Sequence, residues 1–310
     1  MTWLPDAAVE RLRDVADWPA PTSDRYEILE PLARGGMGTV YVARDRHLDR
    51  RVALKVLSAT ATEAGAARMR EEAQILARLE HPGIVPVYDV GLLDDGRVFY
   101  VMKLVDGARL DRHVVDRPLV ERLRLFTRIC DPVAFAHARG VIHRDLKPEN
   151  VMVGSFGEVL VMDWGVAQVQ EISDFRFQIS DFHSVVGTRG YMAPEQARGE
   201  PVDARADVYA LGGILHFLLT GAPPDEGALR GPRTLRAICQ KARAGAAADR
   251  YPDVLPLAAD VDRFLAGEPT VASPDTPLER VTRFARKHRA AIVLVAAYLV
   301  LRVVIAWLAP

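Results

Sequence analysis

The sequence predicts an α+β, two-lobed architecture: a small β-rich N-lobe over residues 25–105, a larger helical C-lobe over 106–268, and a C-terminal hydrophobic helix. Three observations predict it. Five short β-branched runs (YEILEPLA, TVYVARD, RVALKVL, VPVYDVGLL and RVFYVMKLV) precede residue 106 and are broken by Gly and Asp turns. From about 109 to 268 the apolar spacing becomes helical, apart from a strand-like insertion at 151–162. Residues 280–310 then change character and end in an apolar stretch.

Each region can be justified in turn. Residues 1–24 hold PDAAVERLRDVADW and a Pro-rich linker, PAPTS; Val9, Leu12, Val15 and Ala16 fall at helical spacing, so a short docking helix is expected. Within the N-lobe one helix interrupts the strands, at about Glu63–Leu79, rich in Ala, Arg and Glu. The 310 residues suffice for one large core or two modest ones. Lys+Arg number 40 and Asp+Glu 41, so nothing global points to nucleic acid, and no nucleic-acid partner is expected. The two cysteines, Cys130 and Cys239, lie far apart in apolar stretches without metal-ligand spacing and read as reduced core thiols. No basic segment leads into an apolar one at the N-terminus, so no signal peptide is indicated, and the globular part is expected inside the cell.

The chemistry-bearing residues begin at LARGGMGTVY (32–41), between two predicted strands. Gly35, Gly36 and Gly38 lack Cβ atoms, which would let backbone amides approach phosphate oxygens; an ordinary turn is the competing reading. The run is neither a Walker A loop nor a dinucleotide turn, since it lacks GK[ST] and a strand follows it. Lys55 then stands mid-strand in VALKVL, where an inward ammonium needs a counter-charge. The next helix offers Glu71 and Glu72, and Glu72 shares the stripe of Ile75, Leu76 and Leu79, so it is the expected partner. A surface ion pair would be the weak alternative.

Further along come HRDLKPEN (143–150), VMDWG (161–165) and GTRGYMAPEQ (187–196). With the glycine loop, VALK and the helical glutamate, their order and spacing resemble a eukaryotic-type (Hanks-type) serine/threonine protein kinase, closest in look to bacterial members. The resemblance runs from about Tyr26 to Gly267 and implies the bilobal protein-kinase fold.

It also implies roles. Asp145 would orient the substrate hydroxyl and accept its proton, and Lys147 would offset charge on the γ-phosphate. Asn150 and Asp163 would ligate Mg²⁺ through oxygen. Lys55, tied to Glu72, would hold the α and β phosphates of ATP. The loop residues Leu32, Ala33, Arg34, Gly35, Gly36, Met37, Gly38, Thr39 and Val40 would cover the nucleotide, with Ala53, Met102, Leu104 and Met152 completing the adenine pocket and 103–105 forming a hinge. His143 reads as a packing residue, Arg144 as a ligand for a phosphorylated activation loop, and Thr188 as a support beneath the acceptor. Ser180 and Ser184 are candidate phosphosites, with unmodified loop serines, Ser173 among them, as the plain alternative. Glu195, Arg250 and Asp207 are expected to be structural.

The resemblance has departures. Ala33 replaces the first loop glycine, Trp164 stands where phenylalanine is usual, and only DEGALRGPR separates LLTGAPP from the helix expected at 234–244. These departures motivate an alternative, a pseudokinase or nucleotide-binding scaffold with little turnover. A third reading, a membrane-associated interaction protein, comes from the tail. There a basic linker at 269–289 containing RFARKHR precedes an expected single transmembrane helix at 290–309. Arg302 opposes that span at a cost of roughly 2.5–3.5 kcal/mol, and a helix packed on another protein is the competing reading. The expected placement is the cell membrane with the kinase part cytoplasmic, or otherwise the cytoplasm. Expected partners are Ser/Thr-containing protein substrates and a second copy for trans-autophosphorylation.

Overall fold

The computed structural model describes residues 25–35, 38–164, 168–169, 188, 190–274 and 288–308, with backbone alone for 168–169, 289–290 and 303–308. The expected helix in 1–24, Gly36, Met37, Gly165, the basic stretch before His288 and the serines Ser173, Ser180 and Ser184 lie outside the described residues.

The first lobe is a five-stranded antiparallel sheet of β1 (Tyr26–Arg34), β2 (Gly38–Asp45), β3 (Arg50–Leu57), β4 (Val87–Leu92) and β5 (Val98–Lys103), ordered β1-β2-β3-β5-β4. Helix α1 (Glu63–Arg78) lies between β3 and β4 in sequence. Strand periodicity sorts β3 onto two faces. Val52, Leu54 and Val56 join Tyr41, Ala43, Phe99 and Val101 in one apolar cluster, while Ala53 and Leu57 face the cluster containing Met69, Ala73 and Leu76 of α1. Lys55, two residues from each of Ala53 and Leu57, is thereby aimed at α1. Thr62 caps that helix by accepting from the Gly65 N–H, and Ala66, Met69, Glu72, Ala73, Ile75 and Leu76 are its buried residues. Glu72 rather than Glu71 belongs to the buried stripe, and the cause is the i, i+3, i+4 spacing.

β1 pairs irregularly with β2, shifting register between Ile28 and Glu30 and again between Pro31 and Ala33. Pro31 has no N–H to donate to the ladder, which fits an edge strand with bulges. Ala33 sits inside this strand opposite Val40, so the departure from glycine falls on extended backbone.

The second lobe begins with β6 (Gly107–Arg109), α2 (Leu110–His113), α3 (Leu119–His137) and β7 (Val141–Ile142). A 3₁₀ turn, Pro148–Asn150, leads into the hairpin β8 (Val151–Gly154) and β9 (Val159–Val161), which β6 extends to three strands; β10 (Gln168–Val169) pairs with β7. The insertion expected at 151–162 is this hairpin. Then follow α4 (Pro194–Ala197), α5 (Arg205–Thr220), α6 (Arg233–Ala242), α7 (Val254–Ala266) and α8 (Arg289–Leu308). Helix α5 is buried from Ala206 to Leu218 except at the half-buried Tyr209 and forms the axis of the lobe, apolar nearly all round as an interior helix should be. It ends at Gly221, whose φ of 77° supplies the left-handed cap. Helix α6 starts one residue before, and ends two before, the expected 234–244.

The transmembrane span expected at 290–309 is not reproduced among the described residues. A helix does occupy Arg289–Leu308, but no described helix is long and apolar enough to cross a membrane. Its described side chains cover only 291–302, and a span needs about 20 apolar residues. Within that stretch the Arg302 guanidinium turns back one helical turn, 3.4 Å from the Tyr298 hydroxyl.

Candidate active site

The junction of the lobes is built around Lys55. Its Nζ donates to Glu72 Oε1 at 2.8 Å and Oε2 at 2.9 Å, and to Asp163 Oδ1 at 3.2 Å. Lys55 and Glu72 are both buried. Tyr100 lies opposite Lys55 across β3 and β5 and donates its hydroxyl to Glu72 Oε1 at 2.9 Å. Burial by itself would lower the Lys55 pKa; the Glu72 carboxylate leads the effects that outweigh it and hold the ammonium well above its ordinary range. Burial pushes Asp163 up, and Lys55 outweighs that to keep its carboxyl below the usual range.

The segment 143–150 is held from below. Asp207, fully buried at the start of α5, accepts from the His143 N–H at 2.8 Å and the Arg144 N–H at 2.9 Å, while His137 Nε2 sits 2.7 Å from its Oδ2. Burial would raise the Asp207 pKa, and the hydrogen bond from His137 leads the opposing effects that keep it low. Arg144 has φ 69° and Asp163 φ 57°, left-handed conformations that cost non-glycine residues about 1–3 kcal/mol. The Asp207 bond to the Arg144 N–H and the Gln196 side chain's 2.6 Å bond to the Arg144 carbonyl fix the first of them. His143 is fully buried, with Nε2 3.0 Å from the Met162 carbonyl and Nδ1 accepting from the Asp145 N–H at 3.3 Å. Both ring nitrogens are engaged with backbone, a structural role.

Trp164 packs on that ring at a centroid distance of 4.5 Å. It is completely buried, and its indole N–H reaches the Val161 carbonyl at 3.3 Å. The larger side chain is thus accommodated, with its polar atom paired.

Above this base three side chains form a closed triangle. Lys147 Nζ donates to Asp145 Oδ2 at 2.8 Å and to Thr188 Oγ1 at 2.6 Å, and the Thr188 hydroxyl donates to Asp145 Oδ1 at 3.0 Å. Asn150 Nδ2 donates to the Asp145 carbonyl at 2.8 Å and approaches Asp145 Oδ2 at 3.2 Å. With Nδ2 so engaged, Asn150 Oδ1 is the amide atom suited to ligation. Among the described residues no group of three or more His, Cys, Asp or Glu could hold a metal. A divalent ion here would therefore rest on one carboxylate, one amide oxygen and phosphate oxygens, a donor set that suits a hard cation. Asp163 already carries a cationic neighbour, the Lys55 ammonium, which shows that its carboxylate is oriented toward positive charge.

The apolar candidates for the nucleotide base gather only in part. Ala53 and Met102 face each other across β3 and β5, and Val40 and Leu104 pack on the same core. Leu32 is 55% exposed on β1, and Met152 lies on β8 opposite Leu160. Gly38 has a simpler reason than phosphate for lacking a Cβ, because one would lie 2.0 Å from the Val56 carbonyl across the β2–β3 ladder. Gly35 donates its N–H to the Gly38 carbonyl at 2.9 Å, closing the turn. Tyr100, His137 and Gln196 were not anticipated. A partial signal existed for Tyr100, since strand alternation in RVFYVMKLV puts it on one face with Val98 and Met102, while its pairing with Lys55 is set by register.

Comparison with known proteins follows the same outline. A family model described as protein kinase domain matches residues 26–255. The serine/threonine-protein kinase PknB of Mycolicibacterium smegmatis is 45% identical over 215 residues, covering 66% of this chain and 34% of that protein. PknB of Mycobacterium tuberculosis is 44% identical over 218 residues, covering 67% and 34%. PknD of Protochlamydia amoebophila, also a serine/threonine-protein kinase, is 32% identical over 298 residues, covering 79% and 30%. The matched part of the chain thus spans about a third of the length of these relatives.

Proposed function

Because the chain belongs to the protein kinase family, resembling its bacterial serine/threonine members, we propose that it transfers the γ-phosphate of ATP to serine and threonine hydroxyls of proteins. The observation that carries this reading is the Asp145–Lys147–Thr188 triangle standing beside the Lys55–Glu72 pair and Asp163. Asp145 orients the acceptor hydroxyl and takes its proton. Lys147 shields the oxygen charge that grows beside it. Lys55, locked by Glu72, presents a fixed ammonium to the α and β phosphates, so no reorganisation is needed as charge moves. Asn150 and Asp163 would hold Mg²⁺ through their side-chain oxygens, and the ion would supply charge neutralisation at the phosphate oxygens. Residues 32–40 cover the nucleotide, and Ala53, Met102, Leu104 and Met152 contact its base.

The domain reading that goes with this function is a kinase domain over 25–268, divided near 105, preceded by a docking segment over 1–24 and followed by a basic linker over 269–289. We further place residues 290–309 in the cytoplasmic membrane with the kinase on the inner side. The basic run before an apolar stretch of the sequence supports that orientation. Autophosphorylation between two copies is the proposed activating step, in membrane-associated signalling. A scaffold without turnover would not require Asp145, Lys147 and Thr188 to satisfy one another in this way.

The test is incorporation of labelled phosphate by the full chain in detergent, with Mg²⁺ and ATP, beside its Asp145→Asn form. Phosphoserine or phosphothreonine from the parent alone is the expected result. ATP binding without incorporation, on protein first treated with an activating kinase, would support the scaffold instead. Flotation with anionic vesicles, lost on removal of 290–310, tests the membrane placement.

A further inference from the structure

Residues 221–232 join α5 to α6, and one buried histidine holds their first half. His216 is 4% exposed, one turn before the end of α5. Its Nε2 lies 3.0 Å from the Gly227 carbonyl and its Nδ1 3.3 Å from the Ala222 carbonyl, so the loop 222–227 closes around the ring. Thr220 adds a second tie: Oγ1 is 2.9 Å from the His216 carbonyl and 3.1 Å from the Ala222 carbonyl, and it accepts from the Ala222 N–H at 3.2 Å. Ala222 and Gly227 are brought together by this closure; a Cβ on Gly227 would lie 3.2 Å from Ala222 Cβ.

The far side of the same loop touches the strap that leads from Thr188 toward α4. The Asp225 carboxylate packs on Gly190, where an added Cβ would come within 2.6 Å of Oδ1, and Gly190 has φ 86°. The strap rests on α5 as well. Tyr191 covers Gly213, one turn before His216, where a Cβ would lie 2.8 Å from Tyr191 Cδ1. Arg243 donates from Nη1 to the Gly190 carbonyl at 2.8 Å. The Tyr191 and Met192 N–H groups both point to the Thr188 carbonyl, and Thr188 in turn touches Asp145 and Lys147. One helix therefore carries the strap through Gly213 and the loop through His216, and the two meet at Gly190 and Asp225.

From this chain of contacts we propose that His216 is a positioning residue for the protein substrate: by bracing loop 222–227 it fixes the Gly190–Met192 strap beside Asp145. The proposal rests on the kinase reading for its kinetic consequence and on geometry alone for its structural one. His216 touches neither nucleotide nor reacting atoms. Burial lowers its pKa, the surrounding backbone carbonyls oppose that, and the net shift is downward. The neutral ring has one N–H, which serves the shorter contact to Gly227 and leaves Nδ1 as an acceptor 3.4 Å from the Thr220 hydroxyl; a glutamine side chain could supply that single donor.

The experiment compares the full chain with His216→Leu and His216→Gln. Casein is the phosphoacceptor, and amide hydrogen exchange is followed without substrate. With Leu, the KM for casein is expected to rise about fivefold to tenfold, the loss of one or two net hydrogen bonds. The ATP KM and kcat should stay within about twofold, and exchange should quicken at both 222–228 and 190–193 but not at 143–147. Gln should restore most of the casein KM and the exchange protection. Quicker exchange in the loop with none in the strap overturns the proposal whatever the kinetics. Equal losses in kcat, both KM values and melting temperature, with no rescue by Gln, would also overturn it by showing a general folding role. A parent chain that phosphorylates nothing counts against the kinase reading, while the exchange comparison still decides whether His216 braces the strap.

Discussion

Lys55 and Glu72 meet in a two-pronged contact, with Nζ 2.8 and 2.9 Å from the two carboxylate oxygens, and Tyr100 adds its hydroxyl to the same carboxylate. The pair joins strand β3 to helix α1, so it reports whether the N-lobe is assembled for chemistry. Removing one partner leaves the other buried and unpaired. Glu72→Gln is expected to raise the ATP KM about tenfold or more, and Lys55→Met to abolish phosphotransfer with the fold retained. Tyr100→Phe should cost only about 1 kcal/mol of stability, the net worth of one hydrogen bond. Calorimetric ATP binding and a thermal melt on each variant check this. Unchanged nucleotide affinity in Glu72→Gln would mean that the pair does not organise the site.

Thr188 offers a cleaner test of the catalytic triangle, because its hydroxyl touches both Asp145 and Lys147. Thr188→Val keeps the shape and deletes the hydroxyl, so kcat should fall while the ATP KM stays near that of the parent. Thr188→Ser should keep most activity. Asp145→Asn removes the proposed base and should lower kcat by about 10²–10⁴. Steady-state kinetics on the three variants decide the matter; a valine variant as fast as the parent would remove Thr188 from the mechanism.

Much of this arrangement was legible in the sequence, for identifiable reasons. Strand alternation places Lys55 toward α1, and helical spacing selects Glu72 over Glu71, because both periodicities are local. HRDLKPEN compresses Asp145, Lys147 and Asn150 into one turn, so their meeting needs no long-range information. Tyr100, His137 and Gln196 were harder, since their partners lie 28, 70 and 52 residues away and depend on strand register or on how α5 and α4 dock. Gly38 has a second reason to lack a Cβ, the Val56 carbonyl on the neighbouring strand, a contact that no single-strand pattern reveals. The His216 brace was equally hidden, because a histidine in an apolar helix carries no sign of which loop will fold over it.

Trp164 tests how the neighbouring Asp163 carboxylate, the proposed metal ligand, is supported. Its ring fills a fully buried site against His143, and its N–H is paired with the Val161 carbonyl. Trp164→Phe restores the residue usual in the family yet removes that bond and leaves a void. The expected result is a loss of about 1–3 kcal/mol, with activity largely retained below the lowered melting temperature. Denaturant titration of parent and variant measures it. A more stable phenylalanine variant would show that the site is cramped by tryptophan.

The Glu195–Arg250 pair should give stability a defined pH dependence. Arg250 is buried and donates to both Glu195 oxygens, at 2.6 and 2.7 Å, while its other N–H groups reach the carbonyls of Ala244, Arg205 and Gly245. Burial pushes the Glu195 pKa up, and the Arg250 guanidinium outweighs that, leaving it below its ordinary 4.5. A carboxylate with a depressed folded-state pKa stabilises the fold fully above its unfolded value. That contribution drains away as pH falls through the lower, folded value. Glu195→Gln lacks the charge at every pH, so the parent should be more stable by about 3–5 kcal/mol at pH 7, and the gap should shrink below pH ~4.5. Taking the difference between the two proteins removes the titration of Asp207 and Asp260, which both share, while Asp203, which faces Glu195, stays in it. Urea unfolding of each at pH 7 and at the lowest pH where both fold reversibly gives the comparison. A gap that stays constant with pH would mean that Arg250 is held by its three carbonyl partners and that Glu195 contributes only shape.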